Sequence, residues 1–346
     1  MEGVALEDGV LYVAKHGLKI RKEGRVIVVE DDKEKTPFST KQLRQVIISG
    51  NVLVTSQALK LLGKEGVDVV FLGKSGYPYA YCAPPTGWAS RIRIAQAFGF
   101  HSYLRVEVSK RVIYAKIINM ERNLKRLAYA RKGEIANKLL SAAEEVKKWA
   151  RKVKAEENTL EAIEKIRSYE AHAAKTYFDS LSLVVPSEYG FKGERTRRPP
   201  MDRFNALLSY LYSLLLVEVF NVCLTVGLDP YLGYMHVNRP GRPAFALDVM
   251  EMFRQPFADR VAIYITSKRI LDVNSDFKVL EGGATYLSAN GRRKVEEVYA
   301  KRGEKRFKDG VTGKRLTRRT AILIYLRGLA KYILGEATSY HPFIGW

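Results

Sequence analysis

Cysteine is scarce in this sequence, which has only Cys82 and Cys223 among 346 residues. Two cysteines are too few for a disulfide framework or for a zinc site built on cysteine. The chain also lacks a Walker-type phosphate loop, a dinucleotide-binding G-x-G-x-x-G loop and the G-x-S-x-G turn that carries a serine nucleophile. These absences disfavour a nucleotide-driven motor, a dinucleotide-dependent enzyme and a serine hydrolase.

Leader and membrane signals are lacking as well. The first ten residues, MEGVALEDGV, contain acids and no basic segment followed by an apolar one, so no signal peptide is predicted. The sequence has no run of 18 uncharged apolar residues, which a membrane-spanning helix would require. Together with the low cysteine content, this predicts a reducing, cytoplasmic environment.

Acidic residues are few relative to basic ones. The chain has 58 Lys and Arg against 37 Asp and Glu, a formal net charge of +21. Because 47% of the residues are hydrophobic and 11% aromatic, this charge belongs to a folded chain and not to a disordered polycation. A polyanionic partner is expected, either nucleic acid or an anionic membrane surface. Charge enrichment is also typical of heat-adapted proteins, but that adaptation adds both signs, so the excess of one sign favours nucleic acid.

The texture of the sequence changes near residue 90. Before it, short β-rich segments alternate with turns, including a predicted hairpin turn at Glu23-Gly24, and one short helix is predicted between an N-cap at Thr55 or Ser56 and a stop at Gly66. The Pro- and Gly-containing stretch YPYAYCAPPTGW predicts a boundary. A chain of this length accommodates two domains. We therefore expect an α+β protein with a small β-rich domain at residues 1–88 and a larger all-α domain at residues 89–346.

The second part of the chain has helical periodicity. From about residue 101 to 183, Val112, Ala115 and Ile118 share one helix face, whereas Lys116, Arg122, Lys125 and Arg126 are predicted on other faces. The stretch NALLSYLYSLLLVEVFNVCLTVG is apolar nearly all round and predicts a buried central helix that ends at Gly227. A Gly- and Pro-containing loop follows it.

Two acids, Asp248 and Glu251, lie three residues apart in the apolar stretch DVMEMFRQPF. On a helix this spacing places both on one face, where they repel unless a positive group lies between them or solvent surrounds them. His236 precedes them in the Gly/Pro-rich loop. The sequence pattern alone leaves a metal site and a solvated helix edge as alternatives.

Several stretches together resemble the CRISPR-associated endonuclease family that acts as the spacer-acquisition integrase. The segment GLDPYLGYMHVNRPGRPAFALDVMEMFRQPFADR is similar to the family signature, in which a loop histidine precedes a helix with an Asp-Leu-Met-Glu-like sequence. SYEAHAAKTYF resembles its glutamate motif, and RRPPMDRFNALLSYLYSLL its Arg/Pro loop and buried helix. TSQALKLLGKEGVDVVFLGKSG resembles the end of its N-terminal β domain. The resemblance covers about residues 40 to 345, with Val249 where leucine is expected.

The resemblance implies a catalytic set of Glu170, His236, Asp248 and Glu251. Glu170, His236 and Glu251 are the implied ligands of a divalent metal, with Asp248 beside them. Carboxylate oxygens suit magnesium or manganese, and the imidazole tilts the preference toward Mn²⁺ without excluding Mg²⁺. His172 is left out of the set, because residues two apart on a helix do not face each other. The alternative for Glu170 is a helix-surface acid paired with a nearby Lys or Arg.

The implied activity is a metal-dependent DNA endonuclease and integrase, which inserts short foreign duplex DNA into the CRISPR array by attack of 3′ hydroxyl groups on phosphodiester bonds. Arg197, Arg198 and Arg254 are the predicted phosphate contacts, with an ion pair to Glu251 or Glu218 as the alternative for Arg254. The implied partners are double-stranded DNA, a second copy of the chain contacting through the β domain, and the small second CRISPR adaptation protein. The alternative function is a non-catalytic basic nucleic-acid-binding or architectural protein whose acids are structural.

Overall fold

The computed structural model of the protein describes residues 3–7, 9–72, 78–82 and 88–345. The chain divides into two compact units, residues 1–91 and 92–346, so the division falls three residues after the boundary predicted from the sequence. Half of the predicted boundary stretch, residue 77 and residues 83–87, lies outside the described residues. The architecture is a β-rich N-terminal region followed by a larger, mainly helical one, which confirms the predicted fold class.

The first unit contains two β-sheets and one α-helix among its described residues. Its elements are β1 (Val4–Glu7), β2 (Val10–Val13), β3 (Lys19–Glu23), β4 (Val26–Glu30), β5 (Lys35–Ser39), β6 (Gln45–Ile48), β7 (Leu53–Val54), α1 (Ser56–Lys64), β8 (Asp68–Leu72) and β9 (Pro78–Cys82). One sheet has the strand order β1-β2-β6-β8-β9, in which β2, β6 and β8 run parallel. The other has the order β5-β4-β3-β7.

The core of this unit follows from strand alternation. Successive side chains of a strand point to opposite faces, so Leu11 and Val13 of β2 join one apolar cluster while Val10 joins another. The larger cluster also takes Ile20 from the second sheet and Leu62 from α1. The sequence signals for α1 are confirmed, since the Thr55 side chain accepts the N–H of Ala58 and Gly66 adopts a φ of +74°. The hairpin between β3 and β4 is also confirmed, with its turn one residue later, at 24–25.

The second unit is mainly helical and carries two small antiparallel hairpins that the sequence did not indicate. Its elements are α2 (Trp88–Phe100), α3 (Tyr103–Tyr129), α4 (Gly133–Ala155), α5 (Ala162–Leu181), α6 (Arg203–Thr225), α7 (Ala244–Met250), α8 (Arg260–Ser267), β10 (Phe277–Val279), β11 (Thr285–Leu287), α9 (Ala289–Gly303), β12 (Phe307–Lys308), β13 (Arg315–Leu316) and α10 (Arg318–Ile333). Helices α3, α4 and α5 pack against one another, and α6 contacts α7, α8, α9 and α10.

Helix α6 is the central helix that the apolar stretch predicts. The Asp202 side chain caps it by accepting the N–H of Asn205 at 2.8 Å, and Gly227 follows its end with a φ of +81°. Within the described part of the chain, α6 alone is long and apolar enough to cross a membrane by length and composition. Because 61% of its most apolar window is buried inside the protein, it has the environment of a core helix.

The chain between α7 and α8 stays helical but changes its winding. It tightens into a 3₁₀ turn at Glu251–Phe253 and then widens into a π-helix at Gln255–Asp259. Pro256 lies in the widened turn, where its missing N–H prevents a regular α-helical hydrogen bond. Short π-helical insertions occur frequently at functional sites.

Asn119 of α3 ties three parts of the second unit together. Its Nδ2 donates to the carbonyl oxygens of Met252 at 2.8 Å and Phe343 at 3.0 Å, and its Oδ1 accepts the N–H of Gly345 at 2.7 Å. The side chain is buried, and a buried amide that satisfies three groups fixes their relative positions. The backbone next to Glu251 is thereby held against α3 and the segment 340–345.

Candidate active site

The loop between α6 and α7 is held in place from several sides. Gln96 of α2 donates to the carbonyl oxygens of Asp229 at 2.9 Å and Leu232 at 3.1 Å, and its own oxygen accepts the N–H of Asp229. Arg105 of α3 donates to the Tyr234 carbonyl at 2.6 Å. These bonds give an irregular segment the backbone partners that it would otherwise lack, so His236 projects from a fixed loop.

Asp248 organises the end of this loop. Its carboxylate accepts hydrogen bonds from the backbone N–H groups of Tyr234 at 2.6 Å, Met235 at 3.0 Å and His236 at 2.8 Å. It also accepts one from Nδ1 of the His236 ring at 2.6 Å. Four bonds use the full acceptor capacity of one carboxylate. Asp248 therefore supports the loop and its histidine and has no free oxygen to offer a metal ion.

The orientation of the His236 ring follows from this contact. A carboxylate only accepts hydrogen bonds, so the ring donates from Nδ1 and leaves Nε2 with its lone pair. Nε2 lies 4.0 Å from Glu251 Oε1. A histidine whose other nitrogen is bonded to a carboxylate is the usual arrangement of a metal-ligating imidazole.

Glu170 and Glu251 come together around one positive group, Lys116. Its ammonium nitrogen contacts Glu170 Oε1 and lies 2.6 Å from Glu251 Oε2. Lys116 is buried in α3, although the sequence pattern placed it with Arg122, Lys125 and Arg126 on faces other than that of the apolar residues. The two acids supply the reason, because a buried lysine needs opposite charge beside it. Glu170 is therefore paired with a lysine, as the alternative interpretation of this residue predicted.

Glu251 is also paired with Arg254, whose Nη1 lies 3.1 Å from Oε1. Burial alone would raise the pKa of Glu251, but the charges of Arg254 and Lys116 outweigh it and lower that pKa below the ordinary glutamate value. Burial would likewise lower the pKa of Arg254, yet the carboxylate raises it. The site therefore holds a charged glutamate between two cations in a region with little water.

The buried Tyr177 and the half-buried Tyr212 extend the site away from Glu251. The Arg254 guanidinium stacks on the Tyr212 ring at 4.8 Å, and the hydroxyl groups of Tyr212 and Tyr177 donate to Asp259 at 2.7 and 2.8 Å. Burial raises the pKa of Asp259, although the two hydroxyl groups and Arg254 act in the opposite direction. Sequence reasoning missed this network and Lys116. The only local signal was an aspartate at the end of an otherwise apolar, aromatic stretch.

The structure separates the other predicted residues from this set. Arg197 and Arg198 are exposed and line a cleft of about 550 Å³ together with Tyr210, Tyr286 and Arg292. His172 lies elsewhere on α5, where its ring stacks on Trp149 at 4.6 Å and its Nδ1 contacts the Ser168 carbonyl at 2.7 Å. Of the three arginines predicted to contact phosphate, Arg254 alone lies beside the acids. It forms the ion pair with Glu251 that the sequence left as the alternative to a phosphate contact.

The donor set fits a hard divalent cation, although the side chains are not arranged in coordination geometry. Across the described ranges, no three His, Cys, Asp or Glu side chains already form a metal-binding group. Lys116 lies between the two carboxylates instead. Glu251 Oε2 is buried, and its contact with Lys116 lacks the geometry of a directed hydrogen bond. Mg²⁺ and Mn²⁺ accept the ligands that this site offers, which are the carboxylates of Glu170 and Glu251 and the oriented imidazole of His236.

Comparison with known proteins gives one consistent result. Residues 11–301 match the family model described as CRISPR associated protein Cas1. The chain is 34% identical to a CRISPR-associated endonuclease Cas1 of Archaeoglobus fulgidus, over 93% of this chain and 94% of the relative. It is 33% identical to one from Thermus thermophilus, over 97% of both chains.

Solved structures agree. A casposase bound to integration product superposes with a TM-score of 0.68 at 26% identity, covering 94% of this chain and 90% of the casposase chain. A Cas1 protein from Thermotoga maritima superposes with a TM-score of 0.67 over 96% and 98% of the two chains, and at 20% identity it speaks for the fold alone. With nearly full-length matches at more than 30% identity, the chain belongs to the Cas1 family of CRISPR-associated endonucleases.

Proposed function

We propose that this protein is a divalent-metal-dependent DNA endonuclease and integrase of CRISPR adaptation, which joins the 3′ ends of a short duplex to a target strand. The observation that carries the proposal is the meeting of Glu170 and Glu251 around one cation position, beside an imidazole whose free nitrogen faces Glu251. Family membership and the similarity to a casposase bound to integration product support the reaction class.

Glu170, Glu251 and His236 Nε2 would hold Mg²⁺ or Mn²⁺. Such an ion, when bound, polarises a phosphodiester and lowers the pKa of an attacking water or hydroxyl group. The chain supplies the rest: Asp248 fixes the tautomer and direction of His236, and Arg254 keeps Glu251 charged. The buried surroundings strengthen each of these electrostatic interactions.

DNA binding is proposed to depend on the basic surface and not on the acids. Arg197 and Arg198 are exposed at a cleft that also presents the Tyr210 and Tyr286 rings, a combination suited to phosphate and base contacts. For Arg254 we propose a positioning role, because its guanidinium is already engaged by Glu251 and the Tyr212 ring.

The proposed partners are double-stranded DNA, a second copy of this chain contacting through the β-rich unit, and the small second CRISPR adaptation protein. Two solved complexes of similar fold support the second adaptation protein and DNA as partners and leave the second copy of the chain as a proposal. A partial Cas6-RT-Cas1–Cas2 complex superposes with a TM-score of 0.71 at 22% identity, and a TtCas1–DNA complex with a TM-score of 0.56 at 16% identity. The setting of this reaction is proposed to be the cytoplasm.

A second candidate function follows from Lys116. Because Lys116 and Arg254 together neutralise both glutamates without a metal, the acids would be purely structural in this case, and the protein would be a basic architectural DNA-binding protein. The two candidates differ in what they predict for substitutions that remove the acids.

The test is strand cleavage and joining, measured with a short 3′-hydroxyl duplex and a plasmid target in Mn²⁺, Mg²⁺ or EDTA. Glu170→Gln and Glu251→Gln should abolish both reactions and leave DNA binding intact, and EDTA should abolish them in the parent. Glu144→Gln is the matched control, since Glu144 also pairs with a lysine of α3, Lys125, at 2.8 Å. Full cleavage and joining by the two site variants would show that these acids are not catalytic, whereas DNA binding by a parent that neither cleaves nor joins would establish the architectural function instead.

A further inference from the structure

Lys116 is an unusual feature of a site that is expected to hold a metal ion. Its side chain is 5% exposed, and its flanking residues in α3, Ala115 and Ile117, are fully buried. The ammonium nitrogen contacts oxygens of Glu170 and Glu251 at once. A desolvated lysine is costly unless it is paired, so this position is held by the two acids and is not an accident of surface packing.

The ammonium group lies between the two carboxylates that a divalent ion would have to bridge, in contact with Glu170 Oε1 and Glu251 Oε2. Mg²⁺ demands near-octahedral oxygen coordination at about 2.0–2.1 Å and is usually bound by one or two carboxylates together with water molecules. With Nζ of Lys116 2.6 Å from Glu251 Oε2 and also in contact with Glu170, the space between these carboxylates is already taken by a positive charge. An ion that binds both glutamates must displace Lys116.

The charge of the site leads to the same conclusion. Two carboxylates, Glu170 and Glu251, face two cations, Lys116 and Arg254, so the pair of acids is already neutralised. Adding a divalent ion next to these cations is opposed by like-charge repulsion, which is stronger in a partly buried site than in water. Lys116 differs from Arg254 in having a flexible four-carbon stem that lets a compact ammonium group move.

We propose that Lys116 competes with the metal ion for the space between the carboxylates of Glu170 and Glu251. In the metal-free protein its ammonium group holds the two carboxylates together, and the need to displace that group sets the metal affinity of the site. This inference rests on the proposed function, because it assigns a metal to these acids. Lys116 is then a positioning residue whose removal strengthens metal binding, whereas removal of a ligand weakens it.

The same helix contains a matched control. Lys125 also bridges two glutamates, with its Nζ 2.7 Å from Glu121 and 2.8 Å from Glu144. It is more exposed, at 26%, and it lies nine residues further along α3, outside the predicted ligand set. Replacing Lys125 removes an equivalent pair of ion pairs without touching the candidate site.

The experiment measures Mn²⁺ binding to the full chain by isothermal titration calorimetry after metal removal, with thermal unfolding recorded in EDTA and in Mn²⁺. Lys116→Met should bind Mn²⁺ about tenfold more tightly or better than the parent, since one positive charge near the ion is gone. It should unfold at a lower temperature in EDTA and gain more from Mn²⁺. Lys125→Met should leave Mn²⁺ affinity unchanged. Lys116→Gln repeats the measurement if the methionine variant is unfolded in EDTA, and refolding of either variant by Mn²⁺ supports the proposal.

The outcomes separate this inference from the proposed function. Equal or weaker Mn²⁺ binding by both Lys116 variants would overturn the competitor role while leaving a metal-dependent nuclease in place. Binding by the variants but not by the parent would support it strongly. Absence of Mn²⁺ binding in the parent and in both variants would overturn the inference together with the metal assignment, and the cleavage assay then decides the proposed function.

Discussion

The His236 ring and the Asp248 carboxylate form a 2.6 Å hydrogen bond, and the same carboxylate accepts three consecutive backbone N–H groups of the loop. One side chain therefore fixes both the path of the loop and the direction in which its histidine points. An aspartate with all its acceptor sites used is a structural support for chemistry performed by its neighbours.

Asp248→Asn should lower both stability and activity. An amide nitrogen in place of one carboxylate oxygen faces donors, leaving buried N–H groups without partners at about 1–3 kcal/mol each. Urea unfolding should show a loss of about 2 kcal/mol or more, and cleavage should fall with it. Asp229→Asn, in the same loop, is the control, because the Asp229 side chain accepts the N–H of Tyr231 alone among the described donors. Equal losses in both variants would contradict the supporting role of Asp248.

Salt dependence should separate the basic surface from the acids. The logarithm of the DNA association constant should fall with the logarithm of salt concentration at a slope near −0.9 per phosphate neutralised, with at least about five phosphates expected for this charge. Replacing Arg197 and Arg198 together by alanine should make the slope shallower by up to about 2. Glu170→Gln and Glu251→Gln should keep the parent slope in filter-binding titrations; the reverse pattern would show that the roles have been assigned to the wrong residues.

Arg254→Met tests whether that arginine positions Glu251 or contacts DNA. Breaking a buried ion pair leaves Glu251 with less compensation, so we expect a loss of about 3 kcal/mol in unfolding free energy. The salt slope of DNA binding should not change. If the slope becomes shallower by about 1 while stability is retained, Arg254 contacts a phosphate, as the sequence predicted.

The first unit should lose a stabilising contact in acid. The hydrogen bond from Lys15 and the N–H groups of Lys33 and Glu34 lower the pKa of Asp31 to about 2. Because the folded pKa lies below the unfolded value of about 3.9, the contribution is complete above pH 4 and disappears as the pH falls through 2. Hydrogen exchange of residues 15–31 should therefore distinguish Asp31→Asn from the parent at pH 7 and converge with it near pH 2; a constant difference would contradict this.

Local signals predicted the elements, and the resemblance predicted which acids meet. Thr55 precedes α1, Gly66 follows it, and Gly227 follows α6. These helix ends were predictable because a cap or a left-handed glycine depends on only a few neighbouring residues. The burial of Lys116 was not predicted, because a lysine in a helical pattern is usually solvated. Its burial depends on Glu170, which comes 54 residues later. An ion pair between residues so far apart in sequence produces no periodic pattern from which it could be predicted.

Asp259 was missed for a related reason. The sequence shows an aspartate after an apolar stretch, but its two hydroxyl partners lie on α5 and α6. Only packing of the three helices brings Tyr177, Tyr212 and Asp259 together. The π-helical turn that carries Asp259 was likewise not predicted.

The three hydrogen bonds of Asn119 make the segment 340–345 part of the scaffold behind the acids. Phe343 is 91 residues from Met252 in sequence, yet its N–H meets the Met252 sulfur at 3.4 Å. Variation in this segment is therefore expected to shift the backbone beside Glu251 without any change in the acids or the histidine themselves. A comparison of natural relatives that considers the acids and the histidine alone would find no cause for such differences.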